Sequence, residues 1–180
     1  MFGKVATSVS SKALDEMVKS ISKELKSDFN GILYQKKLTK NDFAKHFGYV
    51  PKTKGCEPDG GIWFYNGLPV LVIEAKHEDK GGNAHQRWWE NATIISISNP
   101  KCIYYTFATG IGCRKKWVDM QYMSYEAFNK RNLLDTRWSL NENGFTEQEV
   151  KETFISLLNE ILGKNNKPFQ YPQPRGKLYD

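Results

Sequence analysis

No stretch of this sequence approaches the roughly eighteen consecutive apolar residues that a membrane-crossing helix needs. The opening MFGKVATSVSSKALDEM lacks the apolar middle block of a secretory signal. Both absences lead to the expectation of a cytoplasmic protein. Cysteine is scarce as well. Cys56, Cys102 and Cys113 are the only three, in no CxxC or Cys/His spacing, which argues against a disulfide framework or zinc site and for reduced, buried thiols. His46, His77 and His85 are too scattered to make a metal cluster. An acidic surplus is also missing. The formal charge is +6, and residues 1–55 carry all of it, with eleven Lys/Arg against five Asp/Glu. A basic balance suits a polyanionic partner such as nucleic acid.

What the chain does have is alternating helix and strand signals. Leu14, Met17, Val18, Ile21 and Leu25 recur at helical spacing and predict an amphipathic helix over 11–27. A short helix over Asn41–Phe47 should stop at Gly48. Asn66-Gly67 is a strong hairpin signal, because both residues tolerate positive φ in a type I′ turn. IWFY and LPVLVIEA are the flanking strands. Pro69 has no N–H for a ladder and calls for an edge or a bulge. The run Val70–Ile73 is apolar without alternation, as in a strand buried on both faces.

A helix from about Asn83 follows, with Ala84, Trp88, Ala92 and Ile95 as its apolar stripe, and then a strand over 102–109. Strand, crossover helix and strand make a βαβ unit with parallel strands. Ser124 is a candidate cap for a helix reaching about Leu134. Thr146 with Glu149 forms a capping box for a last helix that turns Val150, Phe154, Leu157, Leu158 and Ile161 inward. Residues 164–180 are Pro-rich and basic, an extended arm. The whole is expected to be one domain over 1–180, with a basic helical part at 1–55 and a core at 56–110.

The polar residues at the mouth of the hairpin carry the chemistry. Counting outward from Asn66-Gly67, Tyr65 faces Leu68 and Asp59 faces Glu74. Residues i and i+2 share a face, so Lys76 joins Glu74. Two carboxylates that close repel unless a proton or cation sits between them. Mg²⁺, a hard cation that takes oxygen ligands, suits the pair. Lys76 would then orient or deprotonate a water, or offset charge on a phosphate. Metal-assisted phosphodiester hydrolysis uses these components, whereas a surface ion pair at a strand end uses only two of them.

The next segment, GGNAHQR (81–87), opens the following helix. Glycines before an Asn at a helix start leave backbone N–H groups for an anion. Asn suits adenine and Arg suits purine acceptors in the major groove. Helix capping by Asn83 with a solvated Arg87 is the plainer alternative. Trp88 lies on the apolar stripe and reads as core, whereas Trp89 suits an interface. RKKW at 114–117 is either a phosphate grip or a solvated basic loop.

Taken together, PDGG (Pro58–Gly61), IEAKH (Ile73–His77) and GNAHQR (Gly82–Arg87) resemble the type II restriction endonucleases of the EcoRI/MunI branch, within the PD-(D/E)XK nucleases. The resemblance spans about residues 58–110. It implies a restriction-endonuclease-like α/β core, a central mixed β-sheet flanked by helices on both faces. Asp59 and Glu74 would hold Mg²⁺, with Mn²⁺ as a substitute, helped by the backbone carbonyl of Ala75, and Lys76 would act on the water. Gly82, Asn83, Ala84, His85, Gln86 and Arg87 would form the DNA-reading segment. In this branch that motif reads an AATT core in double-stranded DNA, as a homodimer on a palindrome, leaving 5′-phosphate ends. A cognate DNA methyltransferase would accompany such an enzyme. Gln86 stands where family members often carry an acid, and His85 where they carry an apolar residue. Two other readings keep the residues but change the role. One is a structure-specific resolvase or repair nuclease, and the other is a DNA-binding module without catalysis.

Overall fold

The computed structural model describes residues 5–7, 11–48, 55–77, 84–110, 112 and 117–163. Their order is β1 (Val5–Thr7), α1 (Ser11–Leu25), β2 (Ile32–Gln35), α2 (Lys40–Phe47), β3 (Ile62–Tyr65), β4 (Leu68–His77), α3 (Ala84–Ser98), β5 (Ile103–Thr109), α4 (Val118–Ser124), β6 (Asp135–Asn141), β7 (Gly144–Thr146) and α5 (Glu147–Ile161). Strands β2-β3-β4-β5-β6 form a five-stranded mixed sheet, and β1 pairs with β7. The β2/β3 and β3/β4 pairs are antiparallel, while β4/β5 and β5/β6 are parallel. The expected α/β class with a central mixed sheet is what forms, including the parallel β4–α3–β5 unit.

Alternation along β4 explains why both sheet faces are covered. Leu71, Ile73 and Ala75 turn to one side, where they meet Leu14, Val18 and Ile21 of α1 and Phe154 and Leu158 of α5. Val72 turns to the other side, towards Trp88, Ala92 and Ile95 of α3 and Trp117 and Phe128. Burying one such aliphatic side chain stabilises by about 1.5–3 kcal/mol, so each helix is held by its stripe more than by propensity.

The local signals act as expected in several places. Asn66 and Gly67 take φ of 50° and 77° in the hairpin turn. Gly48 ends α2 in the left-handed conformation. At α5, Thr146 accepts from the Glu149 N–H, and the Glu149 carboxylate accepts from the Thr146 N–H. Ser124 does not begin a helix. It lies inside one that starts at Val118 and continues as a π-helical turn over Tyr125–Asn129, and its hydroxyl donates to the Met120 carbonyl. A hydroxyl bonded back to the preceding turn satisfies itself within a helix and caps nothing. Cys56 and Cys102 are free and buried. Cys113, the basic residues 114–116 and the 164–180 arm lie outside the described residues. Trp117, the last residue of RKKW, is core and not a phosphate contact. No helix among the described residues is long and apolar enough to cross a membrane.

Candidate functional site

The hairpin register departs from the simple count. Tyr65 faces Leu68 and Phe64 faces Pro69, but Trp63 then faces Leu71 and Ile62 faces Val72. Val70 is therefore an extra residue on β4, a bulge beside the proline that cannot donate to the ladder. Carried past β3, the shifted count sets Asp59 level with Ala75, not with Glu74. The Asp59 Oδ2 accepts a hydrogen bond from the Ala75 N–H at 3.2 Å. So the direct opposition of Asp59 and Glu74 is corrected, but the carboxylates still meet. Burial is the main cause that pushes the Glu74 carboxyl up, and the Asp59 charge and direct carboxyl contact push it further.

Asp59 sits on a turn built for close packing. Gly61 has φ of 75°, and a Cβ there would fall 2.2 Å from the Tyr34 ring. At Gly60 a Cβ would lie 2.4 Å from that of Ile73, against backbone-anchored atoms that cannot move away cheaply. The Gly60 N–H donates to the Ile73 carbonyl at 2.9 Å. The Gly60 carbonyl in turn accepts from Trp63 Nε1 at 3.1 Å and from Ser22 Oγ of α1 at 2.9 Å. The Asp-Gly-Gly turn is thus clamped between α1 and β4.

Glu74 and Lys76 point the same way from β4, as the period-two rule requires. The Glu74 side chain is 3% exposed and that of Lys76 17%, and Lys76 Nζ donates to Glu74 Oε2 at 3.3 Å. The other oxygen, Oε1, accepts from the Tyr104 hydroxyl at 3.1 Å and from Asn91 Nδ2 at 3.2 Å. Burial works against the Lys76 ammonium, but Glu74 and Asp59 overcome it and raise its pKa. Lys76 in this setting is a charged donor, not a free base.

Helix α1 adds two charges that pattern reading missed. Lys19 Nζ lies 3.9 Å from Asp59 Oδ1. Asp15, one turn earlier, is pushed up to about 6 by burial and by Asp59. Their i, i+4 spacing is ordinary for a solvated helix face, and only the packing of α1 on β4 brings them to the mouth. Tyr104 and Asn91 were also missed, because nothing in the sequence pairs them with Glu74.

The mouth therefore holds three carboxylates (Asp15, Asp59, Glu74) and two ammonium groups (Lys19, Lys76). Among the described residues no three His, Cys, Asp or Glu side chains close into a ready cation cage. Asp59 and Glu74 supply two hard oxygen donors, with the rest of a shell left to water and backbone. That donor set fits Mg²⁺, which commonly takes one or two carboxylates and keeps several waters.

The expected DNA-reading segment is seen in part. Gly82 and Asn83 lie outside the described residues. Ala84 opens α3, His85 is half-buried, and Gln86 and Arg87 are exposed. Trp88 is fully buried, donating from Nε1 to Thr106 Oγ1 at 2.8 Å, as the core reading required. Trp89 is half-buried and lines a surface groove of about 580 Å³ with Tyr122, Met123 and Arg131. That groove includes none of the mouth residues. Comparison with known proteins returns no match: no family model, no curated protein and no solved structure.

Proposed function

We propose that the chain is a Mg²⁺-dependent endonuclease of the PD-(D/E)XK type that hydrolyses phosphodiester bonds in double-stranded DNA. The finer reading is a type II restriction enzyme, a homodimer on a palindrome with an AATT core that leaves 5′-phosphate ends. One observation carries it: Asp59, Glu74 and Lys76 converge at the end of β4, a buried strand of a mixed sheet, with an imbalance of negative charge between them. The next described element, α3, begins at Ala84, inside the GNAHQR segment.

Mg²⁺ held by the Asp59 and Glu74 carboxylates, with the Ala75 carbonyl, would supply Lewis-acid polarisation of the phosphate and acidify a bound water. The chain's own residues do the remaining work. Glu74 stays fixed by its hydrogen bonds, so its oxygens are oriented before substrate arrives. Lys76, charged, donates to a phosphate oxygen or holds the attacking water in line. Water oxygen bonds to phosphorus as the bond to O3′ breaks; the water loses a proton to solvent and O3′ takes one up, giving a 3′-hydroxyl and a 5′-phosphate. Lys37 and Lys45 of the basic N-terminal third are exposed and suit salt-dependent backbone contact.

A second reading keeps this chemistry on branched or damaged DNA. It draws on the fact that the mouth residues converge independently of the reading segment, two of whose residues lie outside the described ones. Digestion of plasmid DNA with Mg²⁺, followed by sequencing of the ends, separates the two. Discrete fragments with identical ends support the restriction enzyme. Cutting of branched but not linear DNA supports the resolvase, and specific binding that survives chelation without hydrolysis supports a binding module.

A further inference from the structure

The two oxygens of Glu74 keep different company. Oε1 accepts from Tyr104 and Asn91 at 3.1 and 3.2 Å, whereas Oε2 accepts from Lys76 at 3.3 Å, and the carboxyl also touches that of Asp59. An ionised carboxylate offers about two acceptor sites per oxygen, so the two donors fill Oε1. We propose that Tyr104 and Asn91 are positioning residues that turn Glu74 so that it offers a divalent cation one oxygen, Oε2, in one orientation. The inference rests on reading the mouth as a cation site.

Both donors are themselves held. The Tyr104 ring is fully buried and meets Trp88 edge-on, with centroids 5.2 Å apart. Trp88 is anchored on β5 through Thr106. Asn91 stands three residues after Trp88 on α3, so that indole also sets how far Asn91 reaches. A carboxylate without these donors would rotate about its last torsion, which is broad and roughly two-fold. It would then present either oxygen, or both, and lose orientation. Partners of metal ligands commonly affect metal affinity by about 10–100-fold, which makes the role measurable.

The test is Mn²⁺ binding to the DNA-free protein by titration calorimetry, for wild type, Tyr104→Phe, Asn91→Ala and the double variant. Tyr104→Phe keeps the buried ring, and Asn91 is only half-buried on its helix, so a folded variant is expected from at least one. Each single substitution should weaken Mn²⁺ binding about 10-fold, with the double weaker still. The Mg²⁺ concentration for half-maximal DNA cleavage should rise in step, while DNA affinity in Ca²⁺ stays unchanged. Mn²⁺ affinity equal to wild type in both folded single variants overturns the inference and leaves the cation site standing. A wild type that takes up no Mn²⁺ overturns both. Weakened Mn²⁺ binding in a protein that cuts no DNA upholds the inference and sinks the nuclease reading.

Discussion

Two ionic clusters sit on this sheet, and they are put together differently. On β6, Arg137 is 8% exposed and forks onto two carboxylates: Asp135 at 2.8 and 3.1 Å and Glu160 of α5 at 2.7 and 2.8 Å. The cation lies between the anions, geometry is bidentate, and β6 is tied to α5. At the end of β4, the Asp59 and Glu74 carboxylates crowd each other, with Lys76 Nζ 3.3 Å from Glu74 and Lys19 Nζ 3.9 Å from Asp59. Burial pushes Glu74 up there, with Asp59 adding to it. The first cluster is complete as folded. Both clusters hold one carboxylate more than they hold cations, but in the second two carboxylates touch each other, a contact that a bound cation would relieve.

The sharpest way to break this contrast is to remove one member of each. Lys76→Ala, Glu74→Gln or Asp59→Asn should each lower Mg²⁺-dependent cleavage by about 10³-fold or more, on the scale of losing one preorganised electrostatic group or more. DNA binding measured in Ca²⁺ should persist in Lys76→Ala. Glu74→Gln should unfold, in chelator, no lower than wild type, because it removes a charge that burial disfavours. Arg137→Met should do the opposite. It leaves two carboxylates facing each other and should cost about 3 kcal/mol, a Tm drop of about 6–12 °C by thermal melt, with the mouth untouched. If Glu74→Gln were the destabilised variant and Arg137→Met the inactive one, the assignment of roles would be reversed.

Smaller effects sharpen the same point. Protons and divalent cations compete for Glu74, whose carboxyl is held above the ordinary range. Stabilisation by Mn²⁺ should therefore grow as pH rises, approaching about 2.7 kcal/mol at a hundred times the dissociation constant. A thermal shift independent of pH would contradict it. The smallest effect concerns Asp15, raised from 3.8 to about 6 by burial and by Asp59. Stability from its protonated form is complete below pH 3.8 and lost as pH rises through about 6. Ionised Asp15 is thus a net cost at pH 7.5, and Asp15→Asn should gain about 1 kcal/mol after allowing for solvent screening. Chelated melts at pH 7.5 and pH 3.5 check it, since the gain should vanish at the lower pH.

How much of this was legible in the residues follows from the range of each signal. Asn66-Gly67, the Thr146/Glu149 box and the Trp88–Ala92–Ile95 stripe act over a few residues, and all three form as their local chemistry dictates. Strand β2 was missed because only Ile32 of its four residues is buried, β1 and β7 because each is three residues long, and β6 because Arg137 interrupts its apolar pattern. Asp59 was found, but its register was not. Pro69 signalled an edge or a bulge, and a bulge there slips every later pair by one residue; local chemistry did not decide between the two. Asn91 and Tyr104 reach Glu74 from α3 and β5, a meeting set only by how the helix packs on the sheet.

Cleavage of a defined plasmid by the purified protein tests the central claim most directly, with Mg²⁺ or chelator, beside Glu74→Gln. The account predicts discrete fragments bearing 5′-phosphates and one shared end sequence, seen only with wild type and only with metal. Intact plasmid in both Mg²⁺ and Mn²⁺, or equal cutting by Glu74→Gln, would contradict it.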